Sequence, residues 1–129
     1  MGDKRILAID DDLTSLNMIR TILSKAGYEI LTASSGREGI GIAAAKLPKL
    51  IILDIMMPGM DGAETAEQLK ANQRTKNIPI IFLSALIREE EERMSKKEDT
   101  PSLIAKPINR EKLLNEVRKY FNPDTNLRQ

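Results

Sequence analysis

The chain contains no cysteine and no histidine. The first absence excludes disulfides and zinc–thiolate centres and favours a reducing compartment only weakly. The second removes the imidazole, the usual neutral-pH base and metal ligand. Any chemistry must therefore come from carboxylates, hydroxyls and amines. A long hydrophobic run is also missing. The nearest, residues 78–87, is broken by Pro79 and Ser84 and is too short to span a bilayer. The start, Met1-Gly2-Asp3-Lys4-Arg5, has no apolar segment of signal-peptide type. A net charge of +1 gives no general attraction for nucleic acid or anionic membrane. There are no repeats, no low-complexity segment and no internal linker. The reading is a soluble, cytoplasmic protein with no direct nucleic-acid binding and no membrane insertion.

What is present fits one domain. A length of 129 residues supports a single core, here expected over about 4–121 with a frayed tail at 122–129. Strands are expected at 5–10, 29–33, 50–54, 79–84 and 102–106. Helical spacing falls between them. Leu16, Ile19, Ile22, Leu23 and Ala26 mark a first helix stopped by Gly27. Ile40, Ala43, Ala44 and Leu47 mark a second, ended by Pro48, and Ala63, Ala66 and Leu69 mark a short third. A fourth begins near Arg88, and Leu113, Leu114, Val117, Tyr120 and Phe121 share a face of the last. The first, third and fourth strands are near-continuous apolar runs, as in a parallel sheet covered on both faces. Alternating strands and helices with short connections predict an α/β, doubly wound sandwich.

Four strands end in polar chemistry. Arg5-Ile6-Leu7-Ala8-Ile9 runs into Asp10-Asp11-Asp12, Leu50-Ile51-Ile52-Leu53 into Asp54, Ile80-Ile81-Phe82-Leu83 into Ser84, and Leu103-Ile104-Ala105 into Lys106-Pro107. Ionised groups avoid cores, so these endings suggest one site at the carboxyl edge of the sheet. Asp10, Asp11 and Asp54 converge if the first and third strands are neighbours. Clustered carboxylates repel, and a hard cation held by oxygen, Mg²⁺ or Mn²⁺, relieves the repulsion. Lys106 adds a positive charge and Ser84 a hydroxyl donor. Together they suit a phosphoryl group, with one carboxylate as nucleophile.

Each feature alone has a plainer explanation. Asp12 is expected to cap the first helix, and Asp61-Gly62 to turn the chain into the third. A lone Asp, Ser-Ala or Lys-Pro at a strand end is ordinarily a turn or loop. Their ordered occurrence on four strands is what points to a site.

The combined segments resemble the receiver domain of two-component response regulators. They are Ile6-Leu7-Ala8-Ile9-Asp10-Asp11-Asp12, Leu53-Asp54-Ile55-Met56-Met57-Pro58-Gly59-Met60-Asp61-Gly62, Phe82-Leu83-Ser84-Ala85 and Ala105-Lys106-Pro107. The resemblance covers about residues 4–121. It implies a flavodoxin-like (βα)₅ fold with a five-stranded parallel sheet in order 2-1-3-4-5. It implies that Asp54 is the phospho-acceptor, and that Asp11, Asp54 and the Met56 backbone carbonyl bind Mg²⁺, with Asp10 acting through water. It further implies that Ser84 and Lys106 bind the phosphoryl group, and that the Lys106–Pro107 peptide is cis. The donor would be a phosphohistidine on a sensor histidine kinase or a histidine phosphotransfer protein, since this chain has no histidine.

The family often carries Tyr or Phe three residues before the lysine, where this chain has Leu103. The resemblance therefore does not extend to a swinging aromatic switch. Among residues 88–99 the one strongly apolar side chain is Met94. Such a helix is weakly anchored. It suits the family's output face, made of the fourth helix, fifth strand and last helix, for a downstream protein that the sequence does not identify. Two alternatives stand beside the receiver. An aspartyl-phosphate phosphatase of haloacid dehalogenase type generally needs a second Asp two residues after the nucleophile, where this chain has Met56. A receiver segment of a larger hybrid kinase or transcription factor is equally compatible with the sequence.

Overall fold

The structure, a computed structural model, describes residues 3–57, 59–85 and 102–121. The expected helix near Arg88, its Met94 anchor and the tail 122–129 lie outside the described residues. The elements run β1 (Arg5–Ile9), α1 (Leu13–Lys25), β2 (Glu29–Ala33), α2 (Gly36–Lys46), β3 (Leu50–Asp54), α3 (Gly62–Ala71), β4 (Ile80–Ser84), β5 (Ser102–Ala105) and α4 (Arg110–Phe121). The five strands form one parallel sheet in the order β2-β1-β3-β4-β5, as the resemblance implies.

Period-two alternation divides the strand side chains between two cores. Ile6, Ala8, Leu50, Ile52, Ile81, Leu83 and Ile104 pack with α1 and α4. Leu7, Ile9, Ile51, Leu53 and Ile80 pack with α2 and α3. This two-sided cover explains the unbroken apolar runs of β1 and β3. Each fully buried Leu or Ile contributes about 1.5–3 kcal/mol relative to an exposed one.

Local chemistry sets the helix ends. The Asp12 carboxylate accepts from the Thr14 amide at the start of α1. Ser35 accepts from the Glu38 amide at α2, and Glu38 reaches back to the Ser34 amide. Asp61 accepts from the Glu64 amide at α3. Each satisfies an orphan donor of the first turn. Gly27, with φ 97°, turns the chain out of α1.

Two expected helix-face residues lie elsewhere. Ala26 is the exposed C-cap of α1. Leu47 is the C-cap of α2, left-handed at φ 48° and 39% exposed. Pro48 disfavours the right-handed helical region for the residue before it, so the apolar spacing runs one residue past the helix. Strands β1, β4 and β5 are each one residue shorter than expected, which leaves Asp10, Pro79 and Lys106 just outside them. The Lys106–Pro107 peptide is cis. Among the described residues no helix is long and apolar enough to cross a membrane.

Candidate functional site

Strand register assembles the site. Ile9 pairs with Leu53, so Asp10 and Asp54 follow side by side at the carboxyl edge. Leu83 pairs with Asp54, and Ser84 with Ala105. The Lys106 amide donates to the Ser84 carbonyl at 3.0 Å, which fixes Lys106 as the next residue along that edge.

The carboxylates converge as expected. Single oxygens of Asp10, Asp11 and Asp54 lie within 4.8 Å of one another. Asp10 and Asp54 are buried, and Asp11 is exposed. Lys106 Nζ sits 2.8 Å from Asp10 Oδ2 and 3.4 Å from Asp54 Oδ2. The Asp12 amide donates to Asp10 Oδ1 at 2.9 Å, and the Met56 amide faces Asp54 Oδ1 at 3.4 Å. Ser84 is buried at the end of β4. Asp12 stands apart from the three-carboxylate cluster. Its side chain caps α1 and accepts from the Ser15 hydroxyl at 3.1 Å.

Electrostatics follow from this packing. Burial pushes the Asp54 carboxyl up to about 6, and the Asp10 charge adds to the rise. The Lys106 ammonium and the Met56 amide oppose it without cancelling it. Burial alone would lower Lys106, but its bond to Asp10 and the charges of Asp10 and Asp54 hold it above the ordinary lysine value. The bond from the Thr14 amide, helped by the Ser15 hydroxyl, holds Asp12 below the usual carboxylate range.

The donor set suits a hard cation. It consists of carboxylate oxygens, with no nitrogen or sulfur ligand. Among the described residues, Asp10 Oδ2 is buried and, apart from the ammonium beside it, finds no hydrogen-bond donor. A buried anionic oxygen with spare lone pairs is what a cation or its water would satisfy. Beside the cluster an open depression of about 450 Å³ is lined by Ile55, Met56, Met57 and Asp61. Met56 is 56% exposed at its rim.

Two contributors are not legible in the sequence. One is the Asp12 backbone amide, which anchors Asp10 through a group every residue carries. The other is Gly62. Its amide donates to the Ile55 carbonyl at 2.9 Å, and its Cα lies against the backbone of Asp54 and Ile55. In sequence Asp61-Gly62 reads as a turn and as the end of the segment that resembles the receiver family, and neither reading discloses this contact.

Known proteins resemble this chain in sequence and fold. Residues 6–118 match the model of the response regulator receiver domain. Protein PilH of Pseudomonas aeruginosa is 30% identical over 113 residues, covering 88% of this chain and 93% of that protein. The response regulator PleD of Caulobacter vibrioides is 33% identical over 114 residues, and there the match spans 25% of the relative's length. The structure of the chemotaxis protein CheY4 of Vibrio cholerae superposes with a TM-score of 0.79 at 30% identity, over 92% of this chain and 99% of that one. With a matched family model over most of its length and the same sheet order, the chain belongs to the response regulator receiver domain family.

Proposed function

We propose that this chain is a cytoplasmic, Mg²⁺-dependent phospho-acceptor, and that Asp54 receives the phosphoryl group. As a receiver domain it is a signalling protein, and such domains interact with histidine kinases or phosphotransfer proteins. The observation that carries the reading is the Lys106 ammonium, which bridges Asp10 and Asp54 beside the exposed Asp11.

An Asp54 carboxylate oxygen attacks phosphorus, the P–N bond of a partner phosphohistidine breaks, and the imidazole nitrogen leaves with its electron pair. The product is an acyl phosphate. Lys106 is close enough to neutralise charge on the transferring oxygens, and Asp10 keeps its amine at the edge. Ser84, at the end of the neighbouring strand, offers its hydroxyl as a donor to a phosphoryl oxygen. Asp11, Asp54 and the Met56 carbonyl would hold Mg²⁺, or Mn²⁺, with Asp10 acting through water. The bound cation supplies charge neutralisation and orients the phosphoryl oxygens. The same groups assist attack of water on the acyl phosphate, so the chain promotes its own phosphorylation and dephosphorylation. The phosphorylated form changes its affinity for a downstream protein through the face of β5 and α4. The stretch 88–99, expected to complete that face, lies outside the described residues.

Incubation with a small-molecule donor such as acetyl phosphate and Mg²⁺, followed by intact mass, should show one labile phosphoryl adduct. The adduct should be absent in Asp54→Asn. Uptake by that variant at the wild-type rate would overturn the assignment.

A further inference from the structure

We propose that Gly62 is a positioning residue for the phospho-acceptor. Its missing side chain lets the start of α3 press on the backbone that carries Asp54. This rests on the reading of Asp54 given above and adds what sets that residue's position.

The glycines of the described chain fall into distinct groups. Gly27 and Gly59 have positive φ, 97° and 77°, and open space where a Cβ would stand. There glycine answers a conformational need. Gly41 has neither positive φ nor a neighbour within 4 Å. Gly62 has no positive φ, and its need is spatial. A Cβ built on it would overlap the Asp54 carbonyl oxygen, lie 2.5 Å from Ile55 Cα and lie 3.0 Å from the Asp54 carbonyl carbon. All three are backbone atoms, so no rotamer change relieves the clash. The crowding differs at Gly39, where the neighbours are the tips of the Ile9 side chain, and at Gly36, where the nearest is the Thr65 hydroxyl.

The contact is reinforced from both sides. The Gly62 amide donates to the Ile55 carbonyl at 2.9 Å, and the Ile55 amide donates to the Leu83 carbonyl of β4 at 3.0 Å. The exit of β3 is thus clamped between the next strand and the first turn of α3. Asp61, which caps that turn, holds the helix start in register. A methyl at position 62 must push α3 away or move the Asp54–Ile55 peptide. The first loosens the bond by which the Gly62 amide holds the Ile55 carbonyl, and the second carries the Asp54 carboxylate off the Lys106 ammonium, now 3.4 Å away. A displacement of about 1 Å at a reacting group can cost 10²-fold in rate.

The test compares Gly62→Ala with Val117→Ala, a cavity-forming control in the buried face of α4, in the core shared with α1. Gly41→Ala, in open helical space, provides a stabilised background should Gly62→Ala alone fold poorly. Two readouts are taken: amide chemical shifts without metal, and the phosphorylation rate with saturating acetyl phosphate and Mg²⁺. Gly62→Ala should shift the Ile55 and Met56 amides and slow phosphorylation at least tenfold. Val117→Ala, equally or more destabilised, should leave both within twofold of wild type or unshifted. The proposal is overturned if Gly62→Ala phosphorylates within twofold of wild type, or if the loss follows stability in both variants. A wild-type chain that takes up no phosphoryl group would instead sink the functional reading. In that case unmoved Ile55 and Met56 amides in Gly62→Ala would still refute the positioning role.

Discussion

At the scale of single residues the site is a compromise between burial and charge. Asp54 is 3% exposed and faces a second buried carboxylate, yet one ammonium serves both. Its carboxyl is therefore raised to about 6. A group with a raised folded-state value stabilises the fold most below its unfolded value, near 3.9, and loses that contribution as pH rises through 6. Asn mimics the protonated form and leaves the Lys106–Asp10 pair in place. With chelator present, Asp54→Asn should be more stable than wild type at pH 7.5, by about 1–2 kcal/mol after allowance for the shared ammonium. The gain should shrink as pH falls from 6 towards 4. Urea midpoints at three pH values measure it. A less stable Asn variant at pH 7.5 would mean that attraction to Lys106 outweighs burial and repulsion.

At the scale of elements, helix starts carry fixed, separable contributions. The Asp12 side chain is a cap and not part of the acidic cluster, whereas its backbone amide holds Asp10. Asp12→Ala should cost about 1 kcal/mol through the lost cap. It should leave the phosphorylation rate near wild type, because the amide to Asp10 remains. Thermal unfolding and the acetyl phosphate assay together check both halves, and a rate loss beyond tenfold would give the Asp12 carboxylate a role at the site.

The same elements show what the sequence discloses. The Asp12 cap, the turn at Asp61 and the Gly27 stop are local events, and local residues signal them. The excursion of Leu47 was hidden because its spacing from Ile40 continues the helical period, while the constraint comes from Pro48 beyond it. The convergence of Asp10, Asp11, Asp54, Ser84 and Lys106 could be inferred from four polar strand ends. The sharing of Lys106 between two carboxylates could not, because it depends on distances across three strands. Gly62 was hidden for a different reason. A turn glycine and a packing glycine are the same letter, and only the backbone opposite tells them apart.

At the scale of the whole molecule, the parallel sheet delivers three carboxylates to one edge, and the metal-free fold bears their repulsion. A cation that binds the folded state and not the unfolded one is then linked to stability. Mg²⁺ at a hundred times its dissociation constant should stabilise the chain by about 2.7 kcal/mol. Asp11 offers the cleanest control, because it is exposed and outside every strand, so its loss disturbs little packing. Without metal, Asp11→Ala should match wild-type stability within about 0.5 kcal/mol, or exceed it as repulsion falls. With Mg²⁺ the wild type should gain stability and the variant should not. Urea midpoints with and without Mg²⁺, alongside equal ionic strength from KCl, separate specific binding from screening. If Asp11→Ala gained as much from Mg²⁺ as the wild type, the cation would bind elsewhere, and the carboxyl edge would owe its geometry to Lys106 alone.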